Sequence, residues 1–191
     1  MADRGAMIGV GHRAAHGFCP AHPAPRRVLL WKVSIRGKIL LVMFTPIPIG
    51  FVSSPYTKNV EVPKGLGAKH EAEGTLEILP EFGLGLTDIE GFSHLIVLWA
   101  FDRSQGFELL GTPPSDDRPH GVFATRSPRR PNPIGLTVVE FLRRDRLLLH
   151  VRGVDMLDRT PILDIKPYLS GVPQETLRRG WLAEAEARKS K

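Results

Sequence analysis

The sequence predicts an all-β barrel or sandwich, followed by one C-terminal helix and preceded by a disordered N-terminal tail. Short apolar segments recur along the chain with Pro, Gly, Ser and Asp between them, and no helical period intervenes. One sustained i, i+4, i+8 apolar stripe stands near the C-terminus. With 191 residues, 42% of them hydrophobic, the chain has enough material for one domain with a real core.

Residues 1 to 42 differ in composition from the remainder of the chain. They hold seven basic residues and one acidic residue, whereas the following residues hold nineteen of each, so the net charge of +6 belongs to this segment. Residues 1 to 27 are mostly Ala, Gly, His, Pro and Arg without apolar periodicity. We therefore expect residues 1–42 to be a disordered, dispensable tail, with Met43 as a candidate native start and residues 43–191 as the folded domain.

The chain contains one cysteine, Cys19, which excludes an internal disulfide framework and favours a reducing, cytoplasmic compartment. Lys32, Arg36 and Lys38 interrupt the first apolar stretch, so the sequence predicts neither a membrane span nor a signal peptide. The histidines of the tail lack a partner cluster, and no metal site is predicted.

Seven segments of the remaining chain have the length and composition of strands. Ser93–Phe101, SHLIVLWAF, is the most hydrophobic of them and predicts a central strand. Residues 53 to 74 lack any sustained period and predict a long functional loop. The predicted strands are Ile47–Val52, Thr75–Leu79, Ser93–Phe101, Val122–Phe123, Leu136–Leu142, Leu147–Val151 and Ile162–Ile165.

The C-terminal segment Pro173–Lys189 predicts one helix. Leu177, Trp181 and Ala185 form its apolar stripe, and its basic residues lie towards the far end, where they suit the helix dipole. Gly180 would lie inside this helix and cost roughly 1 kcal/mol relative to Ala. We therefore expect the helix to pack against the barrel or against another subunit.

The stretch Arg118–Thr137, called the arginine loop below, carries the clearest functional signal. It contains four arginines, His120 and four prolines but no acidic residue. Each proline fixes its own φ and restricts the residue before it, so the loop is stiff before any ligand binds. Asn132, between two prolines, presents an amide that donates and accepts. The loop is either a solvated surface segment or a binding surface for an anionic ligand.

Familiar catalytic motifs are missing from the sequence. Three GxG triplets occur, but none joins a buried strand to a helix, so a Rossmann site is not supported. The chain has no phosphate-binding P-loop motif and no HExxH motif. A Ser-His-Asp hydrolase site could be assembled around Ser127, yet nothing like a nucleophile elbow surrounds this serine.

A second polar stretch, Arg152–Tyr168, supplies the acids that the arginine loop lacks. Three aspartates alternate with apolar residues, and Asp164, Lys166 and Tyr168 lie at period 2 on one strand face. An ordinary edge strand with an outward polar face explains this pattern as well as a functional site does. The pairing with an acid-free arginine loop favours the site.

Three long motifs match a known family. FATRSPRRPNPIGL (residues 123–136), VDMLDRTPILDIKPY (residues 154–168) and FSHLIVL (residues 92–98) resemble the TsaA-like family, whose characterised members are TrmO-type tRNA methyltransferases. The resemblance covers about residues 47 to 170 and implies a small single-domain β-barrel that binds S-adenosylmethionine without a Rossmann fold. It also implies a homodimer that methylates the exocyclic amine of threonylcarbamoyl-adenosine at position 37 of tRNA.

The resemblance implies ten cofactor contacts by position. They are Gly65, Leu66, Gly67, Asp102, Arg103, Arg126, Leu136, Gly153, Val154 and Asp155.

Methyl transfer from a sulfonium needs an in-line nucleophile, so positioning and electrostatics can supply most of the acceleration. Candidates for removing the acceptor proton or orienting the acceptor are Asp164, Asn132 and Tyr168. Candidates for substrate binding are Lys166 and the two arginines suited to a threonyl carboxylate, Arg129 and Arg130. A non-catalytic S-adenosylmethionine sensor or RNA-binding module that keeps the same cofactor pocket would have the same sequence pattern.

Overall fold

The computed structural model describes residues 29–35, 38–63, 70–169, 171 and 179–189. The chain divides into two compact units, residues 1–45 and residues 46–191. The strands are β1 (Leu29–Ile35), β2 (Lys38–Phe44), β3 (Gly50–Ser53), β4 (Glu73–Ile78), β5 (His94–Ala100), β6 (Leu110–Gly111), β7 (His120–Gly121), β8 (Ile134–Asp145), β9 (Leu148–Arg152) and β10 (Pro161–Pro167), and the helix is α1 (Trp181–Lys189). Within the described ranges, no helix has the length and apolarity needed to cross a bilayer.

The first unit contains an antiparallel hairpin of β1 and β2, with Leu29 opposite Phe44 and Ile35 opposite Lys38. Both strands begin within the range that the sequence assigned to the tail, and their aliphatic and β-branched residues suit strand geometry. Residues 1–28 lie outside the described part of the chain. The dispensability of residues 1–42 and the boundary at Met43 stay predictions.

The second unit is a closed barrel of six antiparallel strands in the order β10–β3–β4–β9–β8–β5. It closes because β10 pairs with β3 through Ile162 and Gly50 and with β5 through Ile162 and Trp99. A closed barrel pairs every strand on both sides and so removes exposed sheet edges. The predicted barrel with a C-terminal helix is confirmed.

Alternation along the strands directs one set of side chains into the barrel. On β5, Leu95, Val97 and Trp99 are buried, while Ile96 and Leu98 between them are partly exposed. The core is filled by aliphatic side chains from all six strands and from the segment after β9. Its fully buried members are Val52, Leu76, Leu95, Val97, Val139, Leu149, Val151, Val154, Met156 and Ile162.

The strand predicted at Val122–Phe123 is wrong, because Val122–Ala124 is a short 3₁₀ helix. The amide and hydroxyl of Thr125 both donate to the carbonyl of Val122, which closes the turn. Two further 3₁₀ helices, Pro80–Leu86 and Ile89–Gly91, lie before β5, where no helical period was predicted. Such short turns lack an amphipathic period and leave little trace in the sequence.

Helix α1 begins at Trp181, so the predicted position of Gly180 inside the helix is wrong. Gly180 has a φ of +55°, which right-handed helix does not permit and which glycine adopts readily. The indole of Trp181 stacks on the ring of His120 at 3.9 Å between centroids and donates to the carbonyl of Ala124 at 2.9 Å. The helix therefore packs on the arginine loop of its own barrel, and residues 173–178 of the predicted helix lie outside the described part of the chain.

One edge of β8 is open over half of its length. β9 pairs with β8 only from Glu140 to Asp145, with a register shift between Phe141 and Arg143. Residues 134–139 pair on their other side with β5. After Arg152 the chain leaves β8, and this divergence creates space beside residues 134–139.

Candidate functional site

A cleft of about 580 Å³ occupies the space beside the open edge of β8. It is lined by residues from β8, from the arginine loop and from the two segments that flank it, namely His70, Arg126, Leu136, Thr137, Val138, Gly153 and Asp155. Four of the residues predicted to contact a cofactor therefore meet here: Arg126, Leu136, Gly153 and Asp155. They come from two separate stretches of sequence, the arginine loop and Arg152–Tyr168, and only the fold brings them together.

Asp155 is the carboxylate of the cleft, and the barrel core holds it in place. The hydroxyl of Thr137 donates to Oδ1 of Asp155 at 2.5 Å and accepts from Nε1 of Trp99 at 3.0 Å. Thr137 and Trp99 are both buried, so these bonds form away from solvent. Because the single hydroxyl proton points to Asp155, one carboxylate oxygen of this cleft residue is held by the barrel.

Arg126 supplies the positive charge of the cleft. Its guanidinium donates to the backbone carbonyl of Leu136 on the open edge of β8. The arginine is exposed, and this bond uses one of its five N–H donors. The remaining donors are available to an anionic ligand in a planar arrangement that suits a carboxylate.

Gly153 forms the narrow floor of the cleft. It has a φ of +99°, a conformation that side chains rarely tolerate, and its amide donates to the carbonyl of Ala72 at 2.9 Å. A Cβ at this position would stand 3.3 Å from the carbonyl oxygen of His70 and 3.7 Å from that of Val138. The side chain of Val154, also a predicted cofactor contact, is fully buried in the core, so only its backbone can serve a ligand.

Sequence reasoning missed His70 and Thr137. Nδ1 of His70 is buried and has no hydrogen-bond partner among the residues that the structure describes. The sequence did offer a signal for Thr137, since it is a polar residue at an inward position of a strand, between Leu136 and Val138. His70 stands in the predicted functional loop, but nothing in its spacing distinguished it from the loop's other polar residues.

Asp102 and Arg103, two further predicted cofactor contacts, lie in the turn after β5 and do not line the cleft. Arg103 donates to the carbonyl of Asp158 at 2.6 Å and lies 3.8 Å from the carboxylate of Asp102. This contact ties the turn to the loop that precedes β10. The predicted contacts Gly65, Leu66 and Gly67 lie outside the described residues.

The arginines predicted to bind substrate differ in their contacts. Arg129 pairs with the carboxylate of Glu108 at 2.6 Å, and both side chains are exposed. Arg130 instead donates to the carbonyls of Thr125 at 3.3 Å and Val122 at 3.4 Å, so it holds the 3₁₀ helix of the arginine loop. Asn132 is exposed, and its carbonyl accepts from the amide of Ile134 at 2.8 Å.

Asp164 and Lys166 form an ion pair of 2.7 Å on the outer face of β10. In the strand register Asp164 lies opposite Leu98, and Leu98 lies opposite Leu136 of the cleft. Two strand spacings separate Asp164 from Leu136, or roughly 10 Å. Tyr168 continues this face beside His94, with ring centroids 6.5 Å apart. The predicted catalytic face is thus continuous with the cleft but does not line it.

Metal chemistry has no candidate site in the described part of the chain, where no three His, Cys, Asp or Glu residues cluster to hold an ion. The lining of the cleft is instead an amphipathic mixture. Leu136 and Val138 are apolar, and Arg126, Asp155 and His70 carry the polar groups. Such a lining suits an organic ligand with charged and apolar parts.

The residues that line this cleft all lie within a segment that matches a known family. Residues 51–173 match the family of the tRNA-methyltransferase O N-terminal domain. A probable S-adenosyl-L-methionine-binding protein of Pyrococcus abyssi is 46% identical over 145 residues, which cover 75% of this chain and 79% of that protein. The tRNA (adenine(37)-N6)-methyltransferase of Escherichia coli is 37% identical over 131 residues, covering 63% of this chain and 56% of that enzyme.

Two solved structures are similar to this one. A crystal structure of TrmO has 37% sequence identity and a TM-score of 0.56, and it covers 67% of this chain and 58% of its own. A crystal structure of TrmO from Pseudomonas aeruginosa has 35% identity and a TM-score of 0.57, with 67% of this chain and 56% of its own covered. The chain thus spans little more than half the length of these solved proteins.

Proposed function

Because the chain belongs to the family of the tRNA-methyltransferase O N-terminal domain, we propose that it is an S-adenosylmethionine-dependent methyltransferase. Its proposed acceptor is the exocyclic amine of threonylcarbamoyl-adenosine at position 37 of tRNA. One observation carries the proposal: Arg126, Leu136, Gly153 and Asp155, expected to bind the cofactor from sequence alone, line one cleft.

The residues of the cleft fit the proposed cofactor. A volume of about 580 Å³ lies in the usual range for small-molecule sites. S-adenosylmethionine carries a carboxylate, an ammonium group, a sulfonium and a nucleoside. Arg126 is suited to the carboxylate and Asp155 to an ammonium group or to ribose hydroxyls, while Leu136 and Val138 offer apolar surface.

When bound, S-adenosylmethionine supplies a methyl group on a positively charged sulfur. The chain contributes position and charge: Thr137 fixes Asp155, and the β8 edge fixes Arg126, so neither group must reorganise during the reaction. Water is displaced from an edge whose polar groups are main-chain carbonyls. The reacting amine must then be held in line, which is a task for the outer face that adjoins the cleft.

Asp164 is the proposed group for orienting the acceptor amine. Oδ2 contacts Nζ of Lys166 at 2.7 Å and Oδ1 accepts from the amide of Ile165 at 2.9 Å, so these contacts fix the position of the carboxylate. A fixed carboxylate can accept a further hydrogen bond from the acceptor amine and so orient it. Tyr168 and Asn132 remain proposed as further orienting groups, and Lys166 as a contact for the substrate.

Arg129 is the better placed of the two arginines for the threonyl carboxylate. Its partner Glu108 is exposed and can be exchanged for a carboxylate of the substrate at little cost. The guanidinium of Arg130 is occupied by two backbone carbonyls and shapes the loop instead. We propose that Arg129 recognises the modified base and that Arg130 positions the arginine loop.

Methyl transfer to defined tRNA tests the proposal. Purified protein with methyl-labelled cofactor should label tRNA that carries threonylcarbamoyl-adenosine and leave the unmodified transcript unlabelled, because the unmodified base lacks the carboxylate that Arg129 is proposed to bind. The near-isosteric Asp155→Asn variant is the matched negative control for the cleft. Equal labelling of both tRNAs overturns the proposed substrate.

A second candidate function is binding of S-adenosylmethionine without catalysis. It is favoured by the names of archaeal relatives that are 46% and 50% identical to this chain and are described as probable S-adenosyl-L-methionine-binding proteins. The same labelling experiment separates the two functions, because a sensor binds the cofactor and labels no tRNA.

We also propose that the protein is a cytoplasmic homodimer. Three apolar side chains of β8 are exposed on the outer face around the cleft: Ile134, Leu136 and Val138. Exposed apolar side chains that lie together on a barrel of this size suit contact with a partner. The ribbon of β6 and β7 and the residues beside it expose more: Phe107, Leu109, Leu110 and Phe123. A symmetric pair would cover self-complementary apolar patches of this kind.

A further inference from the structure

His70 is the one cleft residue whose polar atom is left without a partner in the described part of the chain. Nδ1 of its imidazole is buried and makes no hydrogen bond to any residue that the structure describes. Proteins rarely leave a buried polar nitrogen unsatisfied, because its lost hydration is not replaced. When such an unsatisfied group borders a ligand cleft, the bound ligand can supply the missing hydrogen bond.

The position of His70 along the cleft follows from Gly153 and from the β8 edge. The site of an added Cβ at Gly153 lies close to the carbonyls of both His70 and Val138. His70 therefore lies at the Val138 end of the open edge. Arg126, which donates to the carbonyl of Leu136, lies at the Leu136 end. Two residues along a strand span roughly 7 Å, so the two polar groups stand apart and serve different parts of one ligand.

We infer that His70 binds the nucleoside half of the cofactor, an inference that rests on the proposed function. The carboxylate of S-adenosylmethionine requires the cation, and the cation is at the Leu136 end. The uncharged purine and ribose then lie at the other end of the cleft, which is formed by His70, Gly153 and Val138. A purine offers ring acceptors and an amine donor, so either neutral tautomer of His70 finds a complementary group.

Two shape-matched variants isolate the nitrogen of His70. Leu and Asn side chains have the same branched arrangement of heavy atoms, but the amide of Asn can replace Nδ1 and the methyl groups of Leu cannot. Calorimetry with S-adenosylhomocysteine should show a loss of affinity of about tenfold for His70→Leu and of less than about threefold for His70→Asn. Equal affinities of wild type and His70→Leu overturn the inference.

A fragment of the ligand tests which half His70 contacts. 5′-Methylthioadenosine keeps the nucleoside and lacks the amino-acid group. His70→Leu should weaken binding of this fragment and of S-adenosylhomocysteine by the same factor. Arg126→Ala should weaken S-adenosylhomocysteine alone. If His70→Leu leaves the affinity for 5′-methylthioadenosine unchanged, His70 does not read the nucleoside.

Stability without ligand gives an independent readout. If Nδ1 is unsatisfied until the ligand binds, His70→Leu should unfold at the same temperature as the wild type or higher. A clear fall would show that His70 has a structural partner and would overturn the inference. His150→Phe is the matched control: it removes a contact of 3.4 Å between Nδ1 and the hydroxyl of Thr75, so it should lower stability and leave affinity unchanged.

The failure of this inference is distinguishable from the failure of the proposed function. If the wild type gives no heat with S-adenosylhomocysteine, the proposed cofactor is wrong, and the assignment of His70 is overturned with it. If the wild type binds and His70→Leu binds equally well, only the assignment of His70 is overturned.

Discussion

The hydroxyl of Thr137 lies 2.5 Å from Oδ1 of Asp155 and donates its proton to that carboxylate. The same hydroxyl accepts from the indole of Trp99, whose ring belongs to the barrel core. The binding cleft and the core therefore share one side chain. A change at Thr137 is expected to affect folding and ligand binding together.

Thr137→Val tests this link, since valine keeps the shape of threonine and removes the hydroxyl. It leaves Nε1 of Trp99 buried without an acceptor, so we expect the free energy of unfolding to fall by about 1 to 3 kcal/mol in urea titrations. Affinity for S-adenosylhomocysteine should fall as well, because Asp155 loses its anchor. Thr137→Ser keeps the hydroxyl and serves as the control. An unchanged unfolding free energy in Thr137→Val contradicts the role of the hydroxyl.

Gly135→Ala tests the packing of the barrel beside the cleft. Gly135 lies opposite Trp99 in the register of β5 and β8, and an added Cβ would overlap the indole ring. A rigid ring in a core has little room to shift, so we expect a loss of about 1 to 3 kcal/mol in unfolding free energy. Gly111→Ala is the matched control, because an added Cβ there meets no atom within 4 Å. Equal stability of the two variants contradicts the packing argument.

Arg129→Ala and Arg130→Ala should separate recognition from loop support. Loss of Arg129 should narrow the discrimination between modified and unmodified tRNA by about tenfold, because a charge-assisted bond to the threonyl carboxylate is lost. Loss of Arg130 should weaken methylation of the modified tRNA without a selective effect on the discrimination between the two tRNAs. It should also make the arginine loop more susceptible to proteolysis. Labelling rates on both tRNAs measure the effect. A uniform loss with reduced salt dependence in Arg129→Ala would instead indicate a phosphate contact.

Asp116 makes stability depend on pH in the acid range. Burial of its carboxylate is outweighed by hydrogen bonds from Arg188, His120 and Asp117, so the pKa of Asp116 lies well below its usual range. A carboxyl group with a lowered pKa contributes its full stabilisation above its unfolded pKa, about 3.9, and loses it as pH falls further. The wild type should therefore lose stability progressively below about pH 4.

Asp116→Asn is the variant that checks this pH dependence. Thermal unfolding at a series of pH values should show a lower midpoint than wild type at neutral pH and a flatter curve below about pH 4. Because Arg188 belongs to α1, the fluorescence of Trp181 should report release of the helix from the arginine loop. Parallel curves for the two proteins would show that Asp116 does not dominate the acid response.

Light scattering tests the proposed homodimer. The purified chain has a mass of 21.2 kDa, and the dimer should scatter as twice that mass at micromolar concentration. Leu110→Glu, on the exposed ribbon, should shift the equilibrium towards the monomer if this surface contributes to the contact. A wild type that scatters as a monomer at this concentration contradicts the proposed homodimer.

Much of the barrel was predictable because its strands are short apolar segments bounded by turn residues. β5 is the clearest case, since its continuous apolar run, LIVLWA, is typical of a buried strand and is recognisable without any knowledge of its neighbours. The motif resemblance predicted Arg126, Leu136, Gly153 and Asp155 as cofactor contacts, and only the fold shows that they share one cleft.

Other features depend on contacts that sequence does not display. The 3₁₀ helix at Val122–Ala124 is held by Arg130 from eight residues away, and its apolar residues alone suggested a strand. Gly180 directly precedes α1 with a left-handed backbone conformation, which the apolar stripe in the sequence cannot reveal. His70 is distinguished by what its nitrogen lacks, and that can be recognised only in three dimensions.

The open edge of β8 has a consequence for how this site tolerates mutation. The polar contacts described at Leu136 and Val138 are main-chain ones: the carbonyl of Leu136 accepts from Arg126, and the carbonyl of Val138 lies beside Gly153. Every residue except proline presents the same main-chain donor and acceptor, so replacing either of these two side chains alters the apolar fit and preserves the backbone polar pattern. Substitution at Leu136 or Val138 is therefore expected to be tolerated better than substitution at Thr137, Gly153 or Asp155, which contribute a hydroxyl, a backbone conformation and a carboxylate.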